Sequence, residues 1–273
     1  NPSDAKRGFA PARLLGVGKG FGFIYVSVDE KVTVDAEDWY RINQSEYVRA
    51  ADLTLVDPST FSGLRIRGPV KRPFGWVVSN RVYPSNIPGG SPNLNLPYLE
   101  RYTVVQAYDV VRVGYWDWYL IAPNQWVEQR DLSLAEPQNK PPGGIKGKWV
   151  EINLYEQVLV AYQDSQPVFA TLISSGLQQF ATEPGLFSIY VKVPNTRMSG
   201  AYTATQSDYY DIEDVPWTMY FDGDRGIHGA YWHDYFGYRR SHGCINLSLT
   251  DAKWLYEWAA RGVKVWVHDP YAE

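Results

Sequence analysis

The chemically distinctive part of the sequence is the short stretch that carries its only cysteine. Three of the four histidines, His228, His233 and His242, lie in the stretch that begins at His228 and ends at Cys244. A thiol becomes a nucleophile near neutral pH when a nearby imidazole takes its proton. The clustering therefore favours nucleophilic catalysis by a Cys244 thiolate over an inert buried cysteine.

The residues around this cluster supply other parts that such a site needs. Gly243 lets the backbone turn sharply before the cysteine, so we expect the N–H groups of Gly243 and Cys244 to form an oxyanion hole. His228 lies at the end of a predicted strand that covers 218–221 and then 226–228. A sheet would hold its imidazole there beside the sulfur. The carbonyl of Gly229 is then accessible to orient that ring.

A metal site is an alternative use of the same side chains. His228, His233, His242 and Cys244 have the chemistry of tetrahedral zinc ligands. Their spacing matches none of the common zinc patterns, and the sequence contains no HExxH or CxxC motif. We therefore expect no metal and no organic cofactor.

The elements that must position these residues are mostly strands. Tight turns between short apolar segments favour an antiparallel sheet. The predicted strands cover residues 149–153, 158–163, 167–174 and 186–193.

One helix and one long loop complete this C-terminal region. The helix is predicted to begin at the capping sequence 248–251 and to end at Gly262, and a last strand follows at 263–267. The polar segment 195–215 is expected to be a loop that acts as a lid.

The N-terminal region contains an internal repeat whose two copies align without gaps. Each copy has a WYxI sequence, a polar turn, an aromatic-Val pair and a DL ending, which predicts a hairpin. The matching residues are Trp39, Tyr40, Ile42, Tyr47, Val48, Asp52 and Leu53 with Trp118, Tyr119, Ile121, Trp126, Val127, Asp131 and Leu132. The repeat resembles a pair of bacterial SH3-like modules, which serve either as a spacer or in binding cell-wall glycan.

Composition divides the chain and excludes some functions. A Pro/Gly-rich linker at 136–147 separates the repeat region 1–135 from the domain at 148–273. Lys and Arg number 17 against 15 Asp and Glu before Gly147 (+2), and 9 against 15 from there on (−6). Neither part has the basic excess of a nucleic-acid-binding protein.

The aromatic content indicates the fold class. We expect a mostly β fold from the 11 Trp and 21 Tyr, because aromatic residues are enriched in strands.

The sequence I-H-G at 227–229, followed after a short gap by S-H-G-C-I-N at 241–246, resembles the catalytic signature of YkuD-type L,D-transpeptidases. The resemblance extends over residues 149–267. It implies a β-sandwich catalytic domain whose cysteine attacks the third residue of a peptidoglycan tetrapeptide stem. D-Ala then leaves, and an amine resolves the thioester.

The resemblance also implies roles for individual residues. Cys244 is the nucleophile and His228 is the general base. The residues that orient the base or shape the nucleophile loop are Gly229, Ser241, His242, Gly243 and Asn246. The implied substrate contacts are Arg240, Tyr220, Tyr231, Trp232 and Asn246. For Arg240 the alternative is an exposed structural arginine, and for Trp232 it is a core position.

We therefore expect a peptidoglycan L,D-transpeptidase that contributes to cell-wall biosynthesis and cell shape. Its partners would be stem peptides, with carbapenems as covalent inhibitors. Its place would be the cell envelope outside the cytoplasmic membrane, with no signal peptide or anchor among these 273 residues. The alternatives are a cysteine L,D-carboxypeptidase or peptidase of the same fold, or a catalytically silent wall-binding protein.

Overall fold

The fold is mostly β, as the sequence predicts. The structure is a computed structural model of the chain and describes residues 10–14, 23–42, 46–136, 142–201 and 209–271. One ten-residue α-helix accompanies the strands in this part of the chain. None of its helices is long and apolar enough to cross a membrane.

The N-terminal strands form two small modules with a short strand between them. The first module contains β1 (Ala10–Leu14), β2 (Phe23–Val34), β3 (Glu37–Ile42), β4 (Glu46–Arg49) and β5 (Leu53–Leu55). The short strand is β6 (Leu64–Arg65). The second module contains β7 (Phe74–Val77), β8 (Arg81–Val82), β9 (Leu99–Glu100), β10 (Val104–Gln106), β11 (Asp109–Val113), β12 (Trp116–Ala122), β13 (Gln125–Glu128) and β14 (Leu132–Ala135).

The two copies of the repeated sequence each form a hairpin. In each copy the hairpin, β3–β4 or β12–β13, is followed by a 3₁₀ turn and then by β5 or β14. The 3₁₀ turns, Ala50–Asp52 and Gln129–Asp131, both end at the matched aspartate, as the alignment of the two copies requires. Leu53 and Leu132 are both buried in the cores of their modules. The likeness to SH3 modules stays a prediction.

The C-terminal domain contains the remaining elements. They are β15 (Lys148–Asn153), β16 (Val158–Gln163), β17 (Gln166–Leu172), β18 (Gly185–Ser188), β19 (Val191–Gly200), β20 (Tyr210–Asp222), β21 (Arg225–Gly229), β22 (Ile245–Leu247), α1 (Leu249–Trp258) and β23 (Lys264–His268). One sheet has the order β18-β23-β15-β16-β17-β6, and a second contains β22-β21-β20-β2. One apolar core joins the two sheets and α1.

The helix begins where the capping sequence predicts. The N–H of Asp251 donates to the Ser248 hydroxyl at 3.3 Å, so Ser248 is the N-cap. Gly262 was expected to end the helix, but α1 ends at Trp258 with Ala259 in an extended conformation. Gly262 instead has a φ of +89° in the turn before β23, where a residue without Cβ is favoured.

Two of the predicted segments differ from what the structure contains. The strand predicted at 186–193 is divided into β18 and the start of β19. The segment 195–215, expected to be a loop, is largely the hairpin β19–β20, while its residues 202–208 lie outside the described residues. Residues 137–141 of the predicted linker also lie outside them, and Pro142–Gly144 form a short 3₁₀ turn.

Strands from the N-terminal region belong to both sheets of the C-terminal domain. β6 pairs with β17, and β2 pairs in parallel with β20. Beside β6, the carboxylate of Asp251 accepts hydrogen bonds from the Gly63 N–H at 3.0 Å and from the Thr171 hydroxyl at 2.5 Å. Asp251 is 1% exposed, so these donors replace the water it has lost.

Replacing Asp251 by alanine should destabilise the whole C-terminal domain. The change would leave the half-buried Gly63 N–H without its acceptor, and the buried Thr171 hydroxyl would keep only the Leu172 carbonyl oxygen at 3.2 Å, so we expect a loss of about 1–3 kcal/mol in the free energy of unfolding. Denaturant unfolding followed by tryptophan fluorescence measures it. The control Asp38→Ala removes an exposed ion pair with Lys31 and should leave stability nearly unchanged. Equal effects of the two changes would contradict the role of Asp251.

Candidate active site

A cavity of about 520 Å³ in the C-terminal domain brings the predicted catalytic residues together. Both Cys244 and His228 line it, along with Ser241, His242 and Asn246. The opposite wall comes from the hairpin β19–β20. The two side chains that the sequence proposes as nucleophile and base therefore face one shared space.

His228 is held in place by the sheet and by its own backbone. It lies on β21 between β20 and β22, with Asn246 as its partner in the parallel register with β22. Its Nδ1 lies 3.2 Å from the carbonyl oxygen of Gly229. A neutral imidazole that donates Nδ1–H to this carbonyl has its lone pair on Nε2, which suits a base. Gly229 therefore takes the orienting position predicted for it.

The sulfur of Cys244 lies against the start of β21. The Gly226 N–H donates to Sγ at 3.4 Å, and the thiol donates to the Asp224 carbonyl oxygen at 3.8 Å. Burial raises the pKa of the Cys244 thiol, while the Gly226 N–H and the Arg225 guanidinium oppose that rise to a smaller extent. Burial lowers the pKa of His228 to about 4, with the bond to Gly229 opposing it.

These two pKa directions favour a neutral thiol and a neutral imidazole in the resting site at pH 7. A thiolate–imidazolium pair would need the opposite order of the two pKa values. The thiolate predicted from the sequence is therefore not the resting form. A Cys244 nucleophile would then have to pass its proton to His228 as it attacks.

The alkylation of Cys244 by iodoacetamide should report this resting state. Because burial raises the thiol pKa above its ordinary value of 9.0, we expect the second-order rate to keep rising beyond pH 9. Arg225→Gln should move the midpoint to still higher pH, since the guanidinium favours the thiolate. The unfolded chain provides the reference curve. A plateau already reached at pH 7 would show a preformed thiolate instead.

The nucleophile loop is fixed by the Ser241 side chain. Its Oγ accepts from the Gly243 N–H at 3.1 Å and donates to the Cys244 carbonyl oxygen at 2.5 Å. Gly243 has a φ of +115°, and a Cβ there would lie 3.1 Å from Nε of Arg225, so glycine is required. Because the Gly243 N–H donates to Ser241 here, its part in an oxyanion hole stays a prediction.

Two of the other histidines have structural partners. His242 stacks on the rings of Phe180 and Tyr210, with centroids 4.5 Å and 4.9 Å away, and so links the nucleophile loop to β20. His233 accepts the Tyr235 N–H on Nδ1 at 3.2 Å. Within the described residues, no three His, Cys, Asp or Glu side chains are grouped as metal ligands would be.

Asn246 holds the chain segment that follows His228. Its side-chain amide lies 3.0 Å from Nε2 of His233. Burial lowers the pKa of His233 to about 3, so the ring is neutral and carries its proton on Nε2. The amide oxygen must then face this N–H, which also gives a partner to the buried Oδ1. Asn246 therefore positions His233 as well as lining the cavity.

Three of the remaining predicted substrate contacts line the cavity and one does not. Arg240, Tyr220 and Trp232 line it, and the Trp232 ring centroid is 5.7 Å from that of His228. The Arg240 guanidinium lies 3.9 Å from the centre of the Tyr235 ring. Tyr231 is fully buried and donates its hydroxyl proton to the Glu213 carbonyl oxygen at 2.7 Å. The prediction that Tyr231 contacts substrate is therefore wrong.

The sequence analysis missed two groups of cavity residues. Asp224 lies in the turn before β21 and Arg225 is the first residue of that strand, and the DGDR sequence ahead of IHG was the available signal. Residues of the hairpin also line the cavity, namely Arg197, Met198, Ser199, Gly200, Tyr210 and Ile212. Their sequence is largely polar, so it lacks the alternation of apolar and polar residues by which strands are recognised.

Comparisons with known proteins agree on one family. The family model described as the L,D-transpeptidase catalytic domain, YkuD, matches residues 147–267, which include His228 and Cys244. The putative L,D-transpeptidase YciB of Bacillus subtilis (strain 168) is 31% identical over an alignment of 137 residues, with 43% of this chain and 67% of that protein covered.

Two solved structures are similar in sequence to the same region. An L,D-transpeptidase from Stackebrandtia nassauensis is 28% identical, with 49% of this chain and 60% of that chain covered and a TM-score of 0.37. The catalytic domain of the E. faecium L,D-transpeptidase is 27% identical, with 46% of this chain and all of that chain covered and a TM-score of 0.40. This chain thus spans less than two thirds of the Stackebrandtia protein.

The family assignment rests on the family model, which matches the C-terminal part of the chain, and on the Bacillus relative. The signature residues within that match are the ones that line the cavity. The chain belongs to the YkuD family of L,D-transpeptidase catalytic domains.

Proposed function

We propose that this protein transfers a peptidoglycan stem peptide from its D-Ala to an amine through a thioester on Cys244. The observation that carries the proposal is the shared cavity of Cys244 and His228, with the imidazole bonded to the Gly229 carbonyl. A thiol beside an oriented neutral imidazole has the parts that nucleophilic acyl transfer needs.

The first half-reaction would form the acyl-enzyme. Nε2 of His228 accepts the thiol proton while Sγ bonds to the carbonyl carbon of the third stem residue. The C–N bond to D-Ala then breaks, and the proton passes from His228 to the departing amine. The N–H of Cys244 is the proposed donor to the developing oxyanion.

The second half-reaction would release the enzyme. An acceptor amine attacks the thioester carbonyl and loses a proton to His228, and the C–S bond breaks to restore the Cys244 thiol. Another stem, a protein or a D-amino acid each provides such an amine. The guanidinium of Arg240 lies at the cavity wall, where it would pair with a stem carboxylate.

The alternative is hydrolysis of the same thioester by water, which would make the protein an L,D-carboxypeptidase. The catalytic pair is common to both reactions, so the product decides between them. We propose that the enzyme works in the cell envelope, where its substrate lies, and that carbapenems acylate Cys244. Binding of cell-wall glycan by the N-terminal modules remains the prediction from the repeat.

The test is incubation of the purified chain with disaccharide-tetrapeptide, followed by mass spectrometry. A cross-linked dimer or, with added D-amino acid, an exchanged tetrapeptide would report transfer, and tripeptide alone would report hydrolysis. Cys244→Ala is the matched control and should yield none of these products. Unchanged tetrapeptide with the native chain would overturn the proposal.

A further inference from the structure

The two N-terminal modules differ at one edge of the repeated hairpin. In the second module, the chain itself lies along the outer edge of β13. The Ser85 N–H donates to the Trp126 carbonyl oxygen at 2.8 Å, and the Trp126 N–H donates back to Ser85 at 2.8 Å. Close by, the backbone at Gly89 approaches Val113 so tightly that a Cβ would lie 2.7 Å from Cγ1 of that valine.

The covering segment belongs to a connection that is much shorter in the first module. The strands β7 and β1 occupy equivalent places, because each pairs on one side with the last strand of its module, β14 or β5, and on the other with an earlier strand, β10 or β2. Residues 78–103 connect β7 to β10, whereas only residues 15–22 connect β1 to β2. The connection in the first module is thus 18 residues shorter, and it lies outside the described residues.

An open groove of about 540 Å³ lies at the equivalent place in the first module. It is lined by Val32, Val34, Asp35, Glu37, Trp39 and Tyr47. In the alignment of the repeat, Val34 and Tyr47 correspond to Val113 and Trp126, the two residues that the segment around Ser85 approaches in the second module. Within the described residues β4 pairs with β3 alone, so the outer edge of β4 takes no strand.

We propose that this groove binds an extended, basic segment of a partner polypeptide. The segment would pair antiparallel with β4 through the N–H and carbonyl of Tyr47, as Ser85 does with Trp126. Val34 is 55% exposed and Tyr47 is 47% exposed, so both offer apolar area to its side chains. Asp35 and Glu37 give the groove two negative charges, which favour lysine or arginine next to the paired residue.

A peptide suits the groove better than a sugar chain does. The occupant of the equivalent edge is polypeptide backbone, which supplies one donor and one acceptor at the spacing that the edge strand requires. An oligosaccharide would stack on Trp39 without using the backbone of β4. Binding of a peptide would depend on the backbone N–H of that peptide, whereas binding of an oligosaccharide would not.

The experiment uses the full chain and the synthetic peptide Ac-Lys-Val-Ser-Val-Lys-NH₂, with binding followed by NMR chemical shifts. We expect saturable shifts for residues of the groove. N-methylation of the central serine and replacement of both lysines by glutamate should each weaken binding at least about tenfold, since each removes one contact that the groove is built to make.

Val34→Lys places a positive charge in the groove and should weaken binding of the peptide to a similar degree. The matched control is Val113→Lys, which alters the equivalent position of the second module and should leave binding unchanged. Chitotetraose is the competing probe. The proposal is overturned if the peptide causes no saturable shifts, if N-methylation leaves affinity unchanged, or if only chitotetraose binds in a manner that Val34→Lys abolishes.

Discussion

Replacement of Cys244 by serine is expected to lower the rate of transfer from disaccharide-tetrapeptide by at least about 10³-fold. A hydroxyl is a far weaker acid than a thiol, and its proton would have to pass to His228, whose pKa burial lowers to about 4. So weak a base deprotonates a thiol with difficulty and a hydroxyl hardly at all. Product formation measured by mass spectrometry gives the rate.

The loss must come from chemistry rather than from unfolding. The serine side chain is close in size to cysteine, so the thermal unfolding temperature should stay nearly that of the native protein. A carbapenem should add its mass to the native chain and leave Cys244→Ala unmodified. Near-native turnover by Cys244→Ser would remove Cys244 from the mechanism.

His228→Gln is the second change with a large expected effect, a loss of about 10²-fold or more in kcat/KM near pH 7. The imidazole has to take the proton of a thiol whose pKa burial has raised, so without it the rate depends on the small fraction of free thiolate. We therefore expect the activity that remains to increase with pH. The pH dependence of kcat/KM for the variant and the native chain measures both effects.

The native chain should lose activity only in acid. Burial lowers the His228 pKa to about 4, so its base form persists down to that pH. The folded pKa lies below the ordinary value of 6.5, and folding stability from this group is lost as pH falls from 6.5 through 4. The control is His268→Gln, because His268 stacks on Trp266 and bonds to Glu151 away from the cavity. Equal losses in both variants would contradict the assignment.

The parts of the site that could be predicted are close together in the sequence. His228 and Cys244 lie on and beside neighbouring strands within one short stretch, so their spacing and residue types were sufficient. The helix cap at Ser248 and the repeated hairpin were likewise local features. Short-range patterns carry information about turns, caps and strand ends, because the same few residues make the decisive contacts.

The failures depended on distant contacts. The partner of Asp251 is Gly63, far earlier in the chain, and no local pattern links the two. Tyr231 closely follows His228, yet its side chain is bonded to Glu213 and fully buried. The pKa order of Cys244 and His228 depends on burial by both sheets, which spacing does not reveal.

The parallel pairing of β2 with β20 has a consequence for how the cleft admits its ligand. Between Tyr210 and Ile212 the strand β20 pairs with β2 on one side and with β19 on the other. The described strands of this hairpin, which wall the cleft, thus lie in one sheet with a strand of the first module, and we expect them to move little. These strands would then lose their conformational entropy during folding, so a ligand would not have to order them when it binds.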